Sequence, residues 1–238
     1  MRVTSAVCGP SLREKEIMLL PSDKTVHGVI SREDAKRAIY VDFEGFKDKS
    51  PSLIGILVEG SLEQVVLDRR LFAAAVASRC RQTSIEAVAG ELMTRCRSEG
   101  RRLVGYSQHE RRIFWQHAGI DFFEEYRDGR MIANRWWSKC RKGAVRIDNT
   151  LKTYLEAIGS PMPASLGTGN TTARLHAVIE MLESRLRYPD LTPCVKAKWR
   201  DLLAYNRHDC RGMKKLVSIA VWCLDTARLR RRPPTVAS

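Results

Sequence analysis

Ala38-Ile39-Tyr40-Val41-Asp42-Phe43-Glu44-Gly45-Phe46 opens apolar and then alternates acidic with aromatic side chains. That pattern reads as a buried strand whose last residues face a solvent-filled cleft. Asp42 and Glu44 stand two residues apart, so a strand sends both carboxylates out from one face. Two acids so placed repel each other unless something neutralises them, and a hard divalent cation with oxygen ligands is the usual neutraliser. Alone, Asp-x-Glu equally describes a solvated strand end paired with a lysine such as Lys47.

Leu53-Ile54-Gly55-Ile56-Leu57-Val58 and Leu62-Glu63-Gln64-Val65-Val66-Leu67 flank the short loop Glu59-Gly60-Ser61. This predicts a β-hairpin, and with the first strand it makes three consecutive antiparallel strands. Ile85, Val88, Ala89, Leu92, Met93 and Cys96 recur at three-and-four spacing, a helix over 84–97 with Ser84 as N-cap and Gly100 as its stop. Arg102 to Tyr106 reads as a fourth strand, parallel to the first, followed by a helix from Gln108 to His117. Beyond Gly119 the pattern is mainly helical: 150–158, 172–186, and one long or two abutting helices from Pro193 to Arg228. Strands first and helices later predict an α/β fold, with a mixed sheet of three antiparallel then parallel strands flanked by helices. Residues 1–36, which contain Gly9, Pro10 and Pro21, read as an N-terminal extension. Residues 37–227 read as the domain, and 228–238 as a basic, disordered tail.

Composition narrows the class. The chain has 238 residues, and its 44% apolar content suffices for a sizeable core in one large domain. Its formal charge of +14 concentrates polyanions such as nucleic acid at the surface. The seven cysteines include no Cys-x-x-Cys pair and no zinc-finger spacing, which reads as buried thiols in a reducing compartment. No stretch approaches the roughly 20 apolar residues of a spanning helix, and Ile17-Met18-Leu19-Leu20 is too short for a secretory core. The expectation is a cytoplasmic protein without a membrane partner.

Two further acids stand where they could join the first pair. Glu110 follows the fourth strand as a helix begins, where the helix dipole favours its ionised form. By itself it is also an ordinary first-turn acid, paired with Arg111 or Arg112. Tyr205 and Asp209 are four residues apart on a helical stretch and share one face. A phenol and a carboxylate so arranged can hold a metal and orient a water, though the same spacing occurs on plain helix surfaces.

Together these segments resemble the DEDD exonucleases of the RNase H-like superfamily. Asp42-Phe43-Glu44 is similar to their first motif, and Tyr205 with Asp209 to the Tyr-x-x-x-Asp of the tyrosine type. The histidine type requires His at position 204, which is Ala204. Glu110 stands where most relatives carry Asp. A branch of ribonuclease H-like nucleases found beside RecB-like nucleases has Tyr-Glu there, and His109 takes the place of that tyrosine. Leu151-Lys152-Thr153-Tyr154-Leu155 and Tyr205-Asn206-Arg207-His208-Asp209-Cys210 also look like segments of that branch.

The resemblance implies two Mg²⁺ or Mn²⁺ ions held by Asp42, Glu44, Glu110 and Asp209, about 4 Å apart. It implies Tyr205 orienting the attacking water, and hydrolysis of DNA or RNA phosphodiesters, 3′ to 5′ from a single-stranded end. Residues expected to hold substrate are Arg111 and Arg112, and a basic stretch with Trp137, Lys139, Arg141 and Lys142. There arginine meets phosphate and indole stacks on bases. The same stretch also describes a solvated helix face with Trp136 or Trp137 in the core. The rival readings are a catalytically silent nucleic-acid-binding subunit, an endonuclease on the same scaffold, and a protein-interaction domain.

Overall fold

The computed structural model describes residues 28–46, 51–141, 148–167 and 170–229. Lys47, Lys142, the first 27 residues and the tail after Leu229 lie outside the described residues.

The quoted stretch forms strand β1 (Ile39–Gly45) at the centre of a six-stranded mixed sheet. Strand β2 (Pro51–Val58) pairs antiparallel with β1, and β3 (Ser61–Val66) antiparallel with β2. Their connection is tighter than expected. Glu59 and Gly60 alone make the turn, both at positive φ (52° and 103°), as two-residue hairpin turns of the right twist require. The sheet is completed by β4 (Arg81–Gln82), β5 (Leu103–Gly105) and β6 (Tyr126–Asp128), in the order β4-β3-β2-β1-β5-β6. Pairs β3–β4, β1–β5 and β5–β6 are parallel. The fold is α/β, and the layout is consistent with an RNase H-like one.

The helices are α1 (Arg32–Arg37), α2 (Phe72–Ala77), α3 (Ile85–Ser98), α4 (Gln108–Ala118), α5 (Gly129–Cys140), α6 (Leu151–Ala157), α7 (Thr171–Arg185) and α8 (Pro193–Leu229). Ser84 caps α3 by accepting from Ala87 N, and the next helix, α4, opens on a capping box of Ser107 and Glu110. The last stretch is one helix of 37 residues. Gly212 does not break it, because the glycine is packed against Leu155 of α6. All of helix α1 except Arg37 falls in the segment read as an extension, yet Ala35 and Ile30 join the core beneath α8.

Strand alternation sorts the core into two sides. Ile39, Val41, Ile54 and Ile56 pack with Val88, Leu92 and Phe114 of α3 and α4. Tyr40 and Leu57 face the other way, toward Met213, Leu216 and Val217 of α8. Asp42 and Glu44, being in phase with Tyr40, leave the sheet on the side of α8.

Helix α8 turns Asn206, Cys210, Met213 and Val217 inward, at spacings of four, three and four, the stripe a packed helix needs. It comes closest to the sheet at Gly55, the residue opposite Asp42 on β2. A Cβ there would lie 2.3 Å from Asn206 Oδ1 and 2.7 Å from Cys210 Sγ. Gly55→Ala is therefore expected to force α8 outward, at a cost of about 1–3 kcal/mol by the usual scale of overpacking. Denaturant unfolding checks this, and an unchanged midpoint would remove the close approach as a constraint.

Candidate metal centre

Strand β1 ends in a register irregularity between Glu44 and Gly45, so its last acid sits where regular pairing with β2 stops. Asp209 comes down from α8, one turn beyond Tyr205. The result is a group in which Asp42, Glu44 and Asp209 each offer a carboxylate oxygen, all within 4.8 Å of one another. Such a group could hold a metal ion, and its all-oxygen donors suit a hard divalent cation.

Each acid is held from behind. Asn206 Nδ2 donates to Asp42 Oδ2 and to the Asp42 carbonyl, both at 3.0 Å. Asn206 is itself fixed by Gln64, whose Nε2 donates to Asn206 Oδ1 at 3.0 Å and to the Leu203 carbonyl at 2.8 Å. Glu44 Oε2 accepts from the Thr171 hydroxyl at 2.8 Å, at the first residue of α7. Arg174, one turn on, donates to the Leu166 carbonyl, and its charge favours the ionised form of Glu44. His208 Nδ1 lies 3.6 Å from Asp209 Oδ1, and its Nε2 lies 3.2 Å from the Pro161 carbonyl.

Charge is crowded here. Burial, and then the charges of Glu44, Asp209 and Glu110, push the Asp42 carboxyl well above the ordinary range, against the pull of Asn206. Burial first, with Asp209 adding, lifts Glu44 to about 8 despite Thr171 and Arg174. Asp209 is raised by burial, with His208 and Tyr205 opposing. The Tyr205 phenol is raised too, by burial and then by Asp209, Glu44 and Asp42. It keeps its proton at neutral pH and can donate, but it does not serve as a base.

Glu110 is buried and near enough to raise Asp42, yet its carboxylate is turned back on its own helix. Oε2 accepts from Ser107 N at 3.0 Å and lies 3.2 Å from the Tyr126 hydroxyl. It stands outside the three-acid group and is pushed up to about 7, chiefly by burial. Behind it Asp128, also buried, caps α5 by accepting from Met131 N at 2.9 Å.

The structure distributes the expected substrate residues differently. Arg111 has 0% exposure; it pairs with Asp121 through Nε at 2.6 Å and Nη2 at 2.8 Å and lies over Phe123, so it is out of reach of a bound strand. Asp121 and Phe123, in the segment that follows α4, enclose it, which is the physical reason. Arg112 is exposed on α4. Trp136 is buried, and Trp137 is half-buried, in edge contact with it and with Tyr154. Arg141 covers both rings, at 5.7 and 5.8 Å from their centroids. Lys139 is exposed, by contrast, on a groove between α5 and the end of α8.

Sequence reading missed Asn206, Gln64, Thr171 and Arg174 as neighbours of the acids. Asn206 carried a signal, lying between Tyr205 and Asp209 in a motif already singled out. Gln64 and Thr171 carried none, being polar residues of a strand and a helix start. Among known proteins, the chain matches no family model and no curated protein. Among the described residues no helix is long and apolar enough to cross a membrane.

The raised Glu44 has a defined consequence for stability. A folded carboxyl that binds its proton more tightly than the unfolded chain contributes stability fully present below pH 4.5, and loses it as pH rises through about 8. Metal-free protein should therefore lose melting temperature across that window, more steeply than Glu44→Gln. Mn²⁺ should restore it most at the alkaline end, since a ligand bound only by the native state stabilises it. Parallel pH profiles for the two proteins, with no effect of Mn²⁺, would dismiss the metal centre.

Proposed function

We propose that the chain is a metal-dependent nuclease that hydrolyses phosphodiesters of DNA or RNA, acting as a 3′-to-5′ exonuclease on single-stranded ends with two Mg²⁺ or Mn²⁺ ions. The observation that carries this reading is the convergence of Asp42, Glu44 and Asp209, from two elements far apart in the chain, within 4.8 Å. Carboxylates kept at that distance, Glu44 buried and Asp42 and Asp209 half-buried, destabilise the fold unless protons or cations offset them, which supports a cation-binding role. The net charge of +14 suits a polyanionic substrate.

When bound, divalent cations lower the pKa of a coordinated water and stabilise charge on the leaving oxygen. The protein's own groups do the rest. Asp42, Glu44 and Asp209 supply the oxygen ligands. Asn206 restrains Asp42 from behind, and Thr171 restrains Glu44. Tyr205, protonated and beside Asp209, donates a hydrogen bond that orients the attacking water. Glu110 completes the ligand set if its side chain leaves Ser107 and Tyr126.

That last condition favours a second reading, a nucleic-acid-binding subunit that does not turn over, since Glu110 Oε2 is already engaged by its own helix start. Release of nucleotides from an end-labelled oligonucleotide in Mn²⁺ separates the two. Under the nuclease reading, Asp42→Asn and Asp209→Asn abolish release, and Tyr205→Phe slows it by roughly 10- to 100-fold, the scale of a misplaced reactant. Full Mn²⁺-dependent activity in either Asp variant refutes the site assignment. No release by the unsubstituted protein, with oligonucleotide still bound, selects the silent subunit.

A further inference from the structure

Away from the acids, the outer face of α8 carries a basic ridge. Arg207, Arg211 and Lys215 follow one another at four-residue spacing, and Lys214, Ser218 and Trp222 continue beside them at the same spacing. All of these fall on one side of the helix. Between Asp209, which faces the acids, and Asp225 that helix has no acidic residue. Trp222 ends the ridge with its indole 52% exposed.

Trp222 and Lys214 line a groove of about 740 Å³ between α1 and α8, and Arg32 and Lys36 close it from the α1 side. Its one acid among the described residues, Glu33, sits in the first turn of α1, where it complements the helix dipole. Among the described residues Arg32, Lys36 and Lys214 form no ion pair, whereas Arg81, Arg101 and Arg111 are each tied to carboxylates. Three unpaired cations around one bare indole match a chain that carries a charge on every unit and a π face on every base. An apolar protein segment would leave those cations desolvated and uncompensated.

We propose that the groove between α1 and α8 binds single-stranded nucleic acid, with Trp222 stacking on a base and Arg32, Lys36 and Lys214 meeting phosphates. Along the helix, at about 1.5 Å per residue, Trp222 lies roughly 20 Å and Lys214 roughly 8 Å from Asp209, and both leave α8 on a different side from it. The groove thus holds a part of the strand remote from the acids, and it rests on the nuclease reading only for that purpose.

Fluorescence anisotropy in EDTA, where nothing is cut, tests it with labelled oligothymidylate and oligouridylate of about 20 nucleotides, a length that spans one or more strand-binding sites. Trp222→Ala should weaken binding about 5- to 150-fold, the scale of one lost base stack. Lys36→Ala and Lys214→Ala should each weaken it and lower the salt slope by about 0.7, as one lost phosphate contact does on a single strand. The arm that loses more affinity identifies DNA or RNA as the ligand. Equal affinity of all three variants and the unsubstituted chain overturns the proposal, as does failure of the unsubstituted chain to bind either oligomer, which would turn the groove over to a protein partner. Mn²⁺-dependent hydrolysis of bis-p-nitrophenyl phosphate, too small to span the distance, should be unchanged by Trp222→Ala. Its absence from the unsubstituted protein counts against the nuclease reading alone, and the anisotropy result still decides the groove.

Discussion

The contact between Asn206 and Asp42 across the bare face of Gly55 governs the rest of the molecule. Helix α8 can lie on the sheet only because β2 offers no side chain at that point, and it is anchored there by one amide bridging a backbone carbonyl and a carboxylate. Once Asn206 is fixed, helical geometry dictates where Tyr205 and Asp209 project. The third acid thus meets the first two as a consequence of packing, without any attraction among the acids. Gln64 closes the arrangement from β3, so three elements must be in register before the cluster exists.

The site is accordingly a place where the fold tolerates conflict. Three carboxylates occupy a space in which burial and mutual repulsion both oppose their charge, while amide, hydroxyl and guanidinium groups partly relieve them. Glu110 shows the opposite resolution. Its carboxylate satisfies the orphan N–H of its own helix start, a role that serves local structure. The oxygen that caps α4 is also held by the Tyr126 hydroxyl, and the nearby charge of Asp128 adds to burial in favouring the protonated form.

Much of this was legible in the residue pattern, for reasons that can be named. The hairpin and helices α3, α4, α6, α7 and α8 are long enough for their periods to repeat. The pair Asp42 and Glu44 shared a face by strand geometry alone. Strand β4 has two residues and β6 three, too few for alternation to register, and both exist because parallel neighbours supply their hydrogen bonds. Helix α1, of composition Arg-Glu-Asp-Ala-Lys-Arg, shows one buried residue, Ala35, and no stripe. Arg111 illustrates the limit on the site. Its neighbour Arg112 has the same chemistry and faces solvent, and only the rotation of α4, set by Ile113 and Phe114, distinguishes them.

Helix α8 runs unbroken for 37 residues, about 55 Å at the usual rise. A rod of that kind works as a gauge. The side chains of one end keep a constant distance and angle from those of the other, whatever the loops around them do. Exchange of single residues along it alters texture while preserving the measure. Adding or deleting even one between Asp209 and Trp222 would swing the far end by about 100°, so the chain can diversify this helix by replacement but not by length.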